Sequence, residues 1–476
     1  MKIKKMSVLT AAAMAACLTG CGDSGSGTEV SQTTIPATTT AGVEINTEVL
    51  NEEDKSKVAD AADNLLSDEE LENKTIKWLA HYDINPNSAG NSKSVQLEMF
   101  ESKYGGEVKY YPSTWDTLYS DLSTYILGGE GIDFFPFDVQ ALPKGVVNGM
   151  FQSIDDYTDI DSDLWADNRN VMEIFNFSGK HYVICTNVTP FSICYYNKQT
   201  IEENGLDDPW ELYEAGNWNW DTFKDMLLNF VDPAADHYGL DGWYYQNSLT
   251  LSGGMPAVSS KDGVLQLNLY EPALERTMTF AEDLYKNGLT MDLSMFDWSE
   301  QPQFMGEGKE LFYLAGAWHT YSDPSIWATK VPPQNMGIVP VPCSKDGDQS
   351  YGITCEGYLL CKGAANPIGV ARFAECGLAS ALDPQTKEIG DQKTRDDYGW
   401  TDEMLEHYDE CCRLAREYPL YELGSGVSND FDTIVTKYAT YEPFRGGTYS
   451  TLREEVESTA ELLLEEVNSS LKDMAK

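Results

Sequence analysis

Between residues 75 and 138 the spacing of apolar and polar positions changes repeatedly, and each change marks an element. Residues 75–80, Thr-Ile-Lys-Trp-Leu-Ala, alternate as a half-buried strand does. Residues 96–104 then take helical spacing, Gly105-Gly106 closes the helix, and 107–111 alternate again. After Pro112, Ser113 and Thr114 offer N-caps, and Leu118, Leu122, Tyr125 and Ile126 share one helical face before Gly128-Gly129. An apolar strand over 132–137 ends at Asp138. Strands alternating with helices predict a parallel sheet covered on both faces. Ligands of such sheets bind beyond the carboxyl ends of the strands, so the pattern gathers His81, Tyr82, Asp83, residues 112–115, Phe137 and Asp138. Helical spacing returns over 222–230, 272–286, 368–381, 402–417 and 450–471. In the last of these Leu452, Val456, Leu463, Val467 and Leu471 recur on one face.

Composition narrows the function classes. A chain of 476 residues with 42% hydrophobic and 12% aromatic content buries a large core, and this length favours two or more lobes. The formal charge of -44 repels nucleic acid and anionic headgroups, so neither is expected as a partner. Most of that charge reads as solvated surface. Beyond Cys17 and Cys21 the cysteines run from Cys185 to Cys412 in no disulfide framework, so buried thiols are expected, with room for one or two bridges. With five histidines and no HExxH, GxSxG or Walker pattern, the common hydrolase and nucleotide signatures are missing. Asp159-Ile160-Asp161-Ser162-Asp163 begins like a calcium loop, but Leu164 stands where the turn needs glycine and Asn170 where it needs glutamate. No metal or cofactor is expected.

At the start of the chain Lys2, Lys4 and Lys5 precede an apolar run, Met6 to Leu18, too short for a permanent bilayer helix, which reads as an export signal over 1–20. Leu18-Thr19-Gly20-Cys21 resembles the lipobox of bacterial lipoproteins, which implies lipidation of Cys21 and attachment to the outer face of the cell membrane. Residues 21–73 are then a flexible acidic tether.

From about residue 75 to the C-terminus, the order of motifs resembles the extracellular solute-binding proteins of carbohydrate ABC transporters, the family that includes maltodextrin-binding proteins. The resemblance rests on "FESKY", 100–104, and on "WDTLY", 115–119, running to "GGEGID", 128–133. It continues through "GMFQSIDDY", 149–157, "GKHYVI", 179–184, "YYNK", 195–198, "WDTF", 220–223, "FMGEGKELFYLAGAW", 304–318, and "GIVPVP", 337–342. "IDFFPFD" at 132–138 departs from the usual strand ending. The resemblance implies a two-lobed α/β fold of the periplasmic-binding-protein kind, each lobe a mainly parallel sheet flanked by helices, joined by hinge strands. One lobe would hold 75–187 and 354–417 and the other 188–353 and 418–476, crossing near Thr186, Thr354 and Leu420. It further implies a monomer that captures sugar without chemistry and delivers it to the permease subunits.

Sugars present hydroxyl edges and weakly apolar faces, so a site for them pairs flat rings with carboxylates. Trp318, ending the glycine–tryptophan motif, and Trp243 in "DGWYYQN" are candidate platforms; Trp115 and Trp298 are further ones, each weighed against core packing. Tyr82 with Asp83, Asp138, and Glu356 near the second crossing are the polar candidates. The rival readings are a surface glycosidase using paired carboxylates and a carbohydrate-binding lipoprotein with no transport role.

Overall fold

The structure, a computed structural model, describes residues 50–86, 93–347 and 349–474. All belong to the unit Ile45–Lys476. The export signal, Cys21 and most of the tether lie outside the described residues.

The first lobe grows from the strands that the alternation predicts. β1 (Thr75–Ala80) pairs in parallel with β2 (Glu107–Pro112), Thr75 opposite Glu107 through Ala80 opposite Pro112, and on its other side with β3 (Phe134–Pro136). Before them α1 (Glu52–Leu65) is capped by the Asn51 side chain. Between β1 and β2 runs α2 (Val95–Tyr104), capped by Ser94 and ended by Gly105 at φ 61, a left-handed turn that glycine adopts without strain. Gly106 is needed for another reason: a Cβ there would stand 2.2 Å from the Phe100 ring. α3 (Leu118–Gly128) leads from β2 to β3 and ends the same way at Gly129.

The chain then passes into the second lobe through β4 (Val183–Pro190) and, two residues later, β5 (Ile193–Asn197). α4 (Trp220–Phe230), capped by Asn219, precedes β6 (Tyr238–Gly242). α5 (Tyr245–Leu251) and α6 (Pro272–Lys286) lead on to β7 (Glu310–Ala315) and β8 (Met336–Val339). The sheet order is β8-β5-β7-β6. β6 and β7, joined through helices, are parallel, whereas β5 is antiparallel to both β7 and β8. All six residues of β7 are buried, as a central strand covered on both faces requires.

β9 (Tyr351–Leu360) returns to the first lobe, antiparallel to β3 and to β4, and α7 (Pro367–Leu382) covers that sheet. α8 (Pro384–Tyr398) and α9 (Asp402–Glu417) follow, then β10 (Pro419–Leu420), parallel to the start of β9. The first sheet thus reads β10-β9-β3-β1-β2, with β4 also on β9. Its strands are parallel where a helix connects them and antiparallel where the chain enters from the other lobe. Trp78, Phe100, Phe134, Tyr358 and Phe373 form its aromatic core.

Residues 183–190, 351–360 and 419–420 therefore run side by side between the two sheets. A disulfide joins Cys185 of β4 to Cys355 of β9. Among the described residues Cys194, Cys343, Cys361, Cys376, Cys411 and Cys412 are free, five of them buried. The C-terminal helix α10 (Tyr449–Met474) buries Leu452, Val456, Leu464, Val467 and Leu471; Leu464 takes the place expected of Leu463, which sits half-buried at the flank.

Candidate functional site

A cavity of ≈ 900 Å³ lies where the lobes meet, within the range of small-molecule sites. Its floor is formed by the two paired strands, Thr186, Thr189 and Pro190 from β4 and Ile353 to Tyr358 from β9.

The first-lobe wall comes from the ends of its strands. Directly after β1 stand His81 and Tyr82; the Tyr82 carbonyl accepts from Trp78 Nε1 at 3.0 Å, which fixes the turn. Trp115, 59% exposed, meets His81 edge to face at 4.8 Å. Burial holds His81 below the usual imidazole range, against the pull of Asp138. Asp138, two residues past β3, accepts from the Tyr119 hydroxyl at 2.6 Å and from the Gln140 N–H at 2.9 Å.

The second-lobe wall is built by two glycine-to-tryptophan exits. At Gly242, the last residue of β6, a Cβ would stand 2.1 Å from the Leu314 carbonyl oxygen, so only glycine lets the strands approach before Trp243 turns out. Tyr244 follows with φ 53, a left-handed conformation that a tyrosine adopts at a cost of about 1–3 kcal/mol. β7 ends at Ala315, and at Gly316 a Cβ would stand 2.4 Å from Trp318 Nε1, so the indole lies over that glycine. Trp318 is 52% exposed, stacks on His319 at 4.0 Å and meets Trp243 edge to face at 5.7 Å. Burial pushes His319 down to about 4, so its ring is neutral near pH 7.

Glu356 faces the cavity from a β-bulge. The β4–β9 register slips between Glu356 and Gly357, where a Cβ on Gly357 would stand 2.3 Å from the Ile184 carbonyl oxygen. Its carboxylate accepts from Asn187 Nδ2 at 3.3 Å and has no ion-pair partner among the described residues. The side chain is open to the cavity, but the surrounding protein strips away bulk water and pushes the carboxyl up. Burial and the Glu356 charge together push the Tyr82 hydroxyl up to about 12. Glu422 is structural: it accepts the N–H groups of Ala257, Val258 and Gly424. Lys437 pairs with Asp432 at 2.7 Å, leaving no unneutralised cation among the described lining.

Tyr82, Trp115, Asp138, Trp243, Trp318 and Glu356 thus line one cavity, and Asp83 and Trp298 do not. Asp83 turns back to accept from Asn85 N and Nδ2, closing its own turn. Trp298, 69% exposed, lies in the loop after residues 293–296, where its N–H closes a turn onto the Leu293 carbonyl. Sequence reasoning passed over Tyr244, Tyr321, Tyr408, Tyr421 and Tyr441, which also line the cavity. Tyr244 was legible beside Trp243; the others reach the cavity only through tertiary packing. In the 159–163 loop Arg169 donates to the Ile160 and Asp161 carbonyls at 2.9 Å, so a guanidinium occupies those two acceptors. Among the described residues no three His, Cys, Asp or Glu side chains are placed to hold a metal, and no helix is long and apolar enough to cross a membrane.

This architecture recurs in solved structures. The galacto-N-biose/lacto-N-biose I-binding protein of a Bifidobacterium longum ABC transporter, in complex with lacto-N-biose, has a TM-score of 0.58 at 14% identity, over 83% of this chain and 97% of that one. The sugar-binding protein MalE of Xanthomonas citri gives 0.58 at 15%, over 84% and 98%. The ABC substrate-binding protein Lmo0181 of Listeria monocytogenes, in complex with cycloalternan, gives 0.54 at 14%, over 84% and 97%. Such identities establish the fold. No curated protein sequence matches the chain. The family model described as bacterial extracellular solute-binding protein matches residues 85–375, more than half of the chain. The chain belongs to the bacterial extracellular solute-binding proteins, a family of extracytoplasmic binding proteins.

Proposed function

We propose that this protein is the sugar-capturing component of an ABC importer. The observation that carries this reading is the cavity wall: exposed indoles from both lobes, Trp115 opposite Trp243 and Trp318, around the unpaired carboxylate of Glu356. Flat rings bury the apolar face of a sugar, and a carboxylate accepts its hydroxyls in charge-assisted bonds. Rings on both lobes gain their full contact only when the hinge closes, so the ligand favours the closed state by its differential affinity. The lobes exchange near Thr186, Thr354 and Leu420, assigning 75–187 with 354–417 to one and 188–353 with 418–476 to the other. The protein acts as a monomer tethered through lipidated Cys21, presents its closed form to the permease subunits and leaves the ligand unchanged.

A thermal-shift screen of the purified protein across mono- and oligosaccharides tests this, since a ligand at 100 times its Kd adds about 2.7 kcal/mol of stability. A bound sugar recovered intact supports the receptor. Cleavage products would replace it with a surface glycosidase, and no shift with any sugar would remove carbohydrate as the ligand. Metabolic labelling with a fatty-acid analogue, lost in Cys21→Ser, tests the anchor.

A further inference from the structure

The ligand cavity does not stop at Trp115. A second hollow of ≈ 520 Å³ shares Trp115, Asp138, Gln140 and Ser425 with it and runs on between α3 and the 425–429 segment. We propose that this hollow is an outer subsite, in which the cleft binds the trailing units of an extended, uncharged oligosaccharide. The inference rests on the reading of the main cavity as a sugar site.

Three features point to it. First, the groove is built into the fold: at Gly426 a Cβ would stand 1.6 Å from the Leu142 carbonyl oxygen, and at Gly145 it would stand 2.5 Å from the Phe151 ring. Glycine at both positions lets the chain segments beneath the groove close up without filling it. Second, its exposed polar side chains are uncommitted. Gln140 lines both hollows, Lys144, Asn148 and Asn429 line the second, and none of the four makes a side-chain hydrogen bond or ion pair within the described residues. They supply amide and ammonium donors and amide acceptors along one groove, which suits hydroxyls. Third, Trp115 belongs to both hollows, held at 88° to His81, so a saccharide lying across that indole contacts both. Asp116 and Asp138 outnumber Lys144 on the same lining, so the groove offers no net attraction to an acidic chain.

The test is calorimetry with α-1,4-glucan, β-1,4-glucan, β-1,4-mannan and β-1,4-xylan oligomers of two to six units, on the whole protein and on Lys144→Ala/Asn148→Ala. Both replaced side chains are exposed and unbonded, so the variant keeps its thermal midpoint. In the series that binds, affinity rises with length by roughly tenfold beyond the shortest member, the weight of one or two hydrogen bonds. The double variant loses that gain and keeps the affinity for the shortest member. A length gain that survives in the variant, or no length gain in a series whose shortest member binds, overturns the subsite and leaves the main cavity intact. Failure of every series to bind overturns the subsite together with the sugar reading.

Discussion

Replacing Trp318 with alanine isolates the contribution of one platform. The indole is 52% exposed in the cavity and held from behind by His319 at 4.0 Å. An aromatic side chain of this class buries 150–250 Å², so closure onto a sugar removes on the order of 100 Å² more from water, worth about 2.5 kcal/mol at 25 cal/mol/Å². Trp318→Ala is therefore expected to raise Kd roughly 60-fold. The half that already packs covers His319 and Gly316 just past the end of β7, outside the centre of the sheet, so the thermal midpoint should shift little. Trp318→Phe, which keeps a smaller ring, should recover part of the affinity. Titration calorimetry reads the affinity and differential scanning calorimetry the stability. A Kd within twofold of the parent would remove Trp318 from the site. A large loss of stability would show that its packing role had been underestimated.

Glu356→Gln should weaken sugar binding about tenfold, because a charge-assisted bond is exchanged for a neutral one. In the parent the affinity should also fall as pH drops through the raised carboxyl pKa, and calorimetry on the variant should show that dependence gone. At Gly316 an alanine Cβ would displace the Trp318 indole, so Gly316→Ala should lose sugar affinity nearly as far as Trp318→Ala, with altered tryptophan emission; unchanged emission and affinity would refute the stacking. Stability should depend on pH in a stated direction. Burial raises Asp241 and Glu422 to about 7 and Glu310 well above its usual value, so folding favours their protonated forms, and that stability is lost as pH rises through the folded values. His319 works the other way, losing stability as pH falls from the unfolded 6.5 toward about 4. Between pH 8 and pH 6 the two groups near 7 contribute about 1.4 kcal/mol each, Glu310 adds in the same direction and His319 offsets part, so acidification brings a net gain in stability. A thermal midpoint higher at pH 8 than at pH 6 would contradict this.

Where side-chain period and punctuation coincide, the fold was legible. β1, α6 and α9 stand where the pattern put them, and α2, β2 and α10 within a residue or a few at their ends. The first-lobe strand ends converge on the cavity because a parallel sheet leaves them no other exit. α8 was not read, since of its fifteen residues only Thr386 and Ile389 are buried and no apolar stripe forms; its marks were Asp383-Pro384 at the start and Gly399 at the end. Among cavity-lining residues Trp243 and Trp318 were legible because each follows a glycine at or just past a strand end. Trp298 has no glycine before it and follows a short 3-10 turn, and composition alone does not tell a ring facing the cleft from one facing solvent. Tyr408, Tyr421 and Tyr441 come from different segments, and their convergence is a product of tertiary packing.

Small-angle scattering of the purified protein, with and without a saturating sugar identified by calorimetry, tests the central claim most directly. The account requires the radius of gyration to fall when the sugar binds, as the two lobes close over it. An unchanged radius at full occupancy would contradict it, because a rigid cleft has no closed form for a permease to recognise.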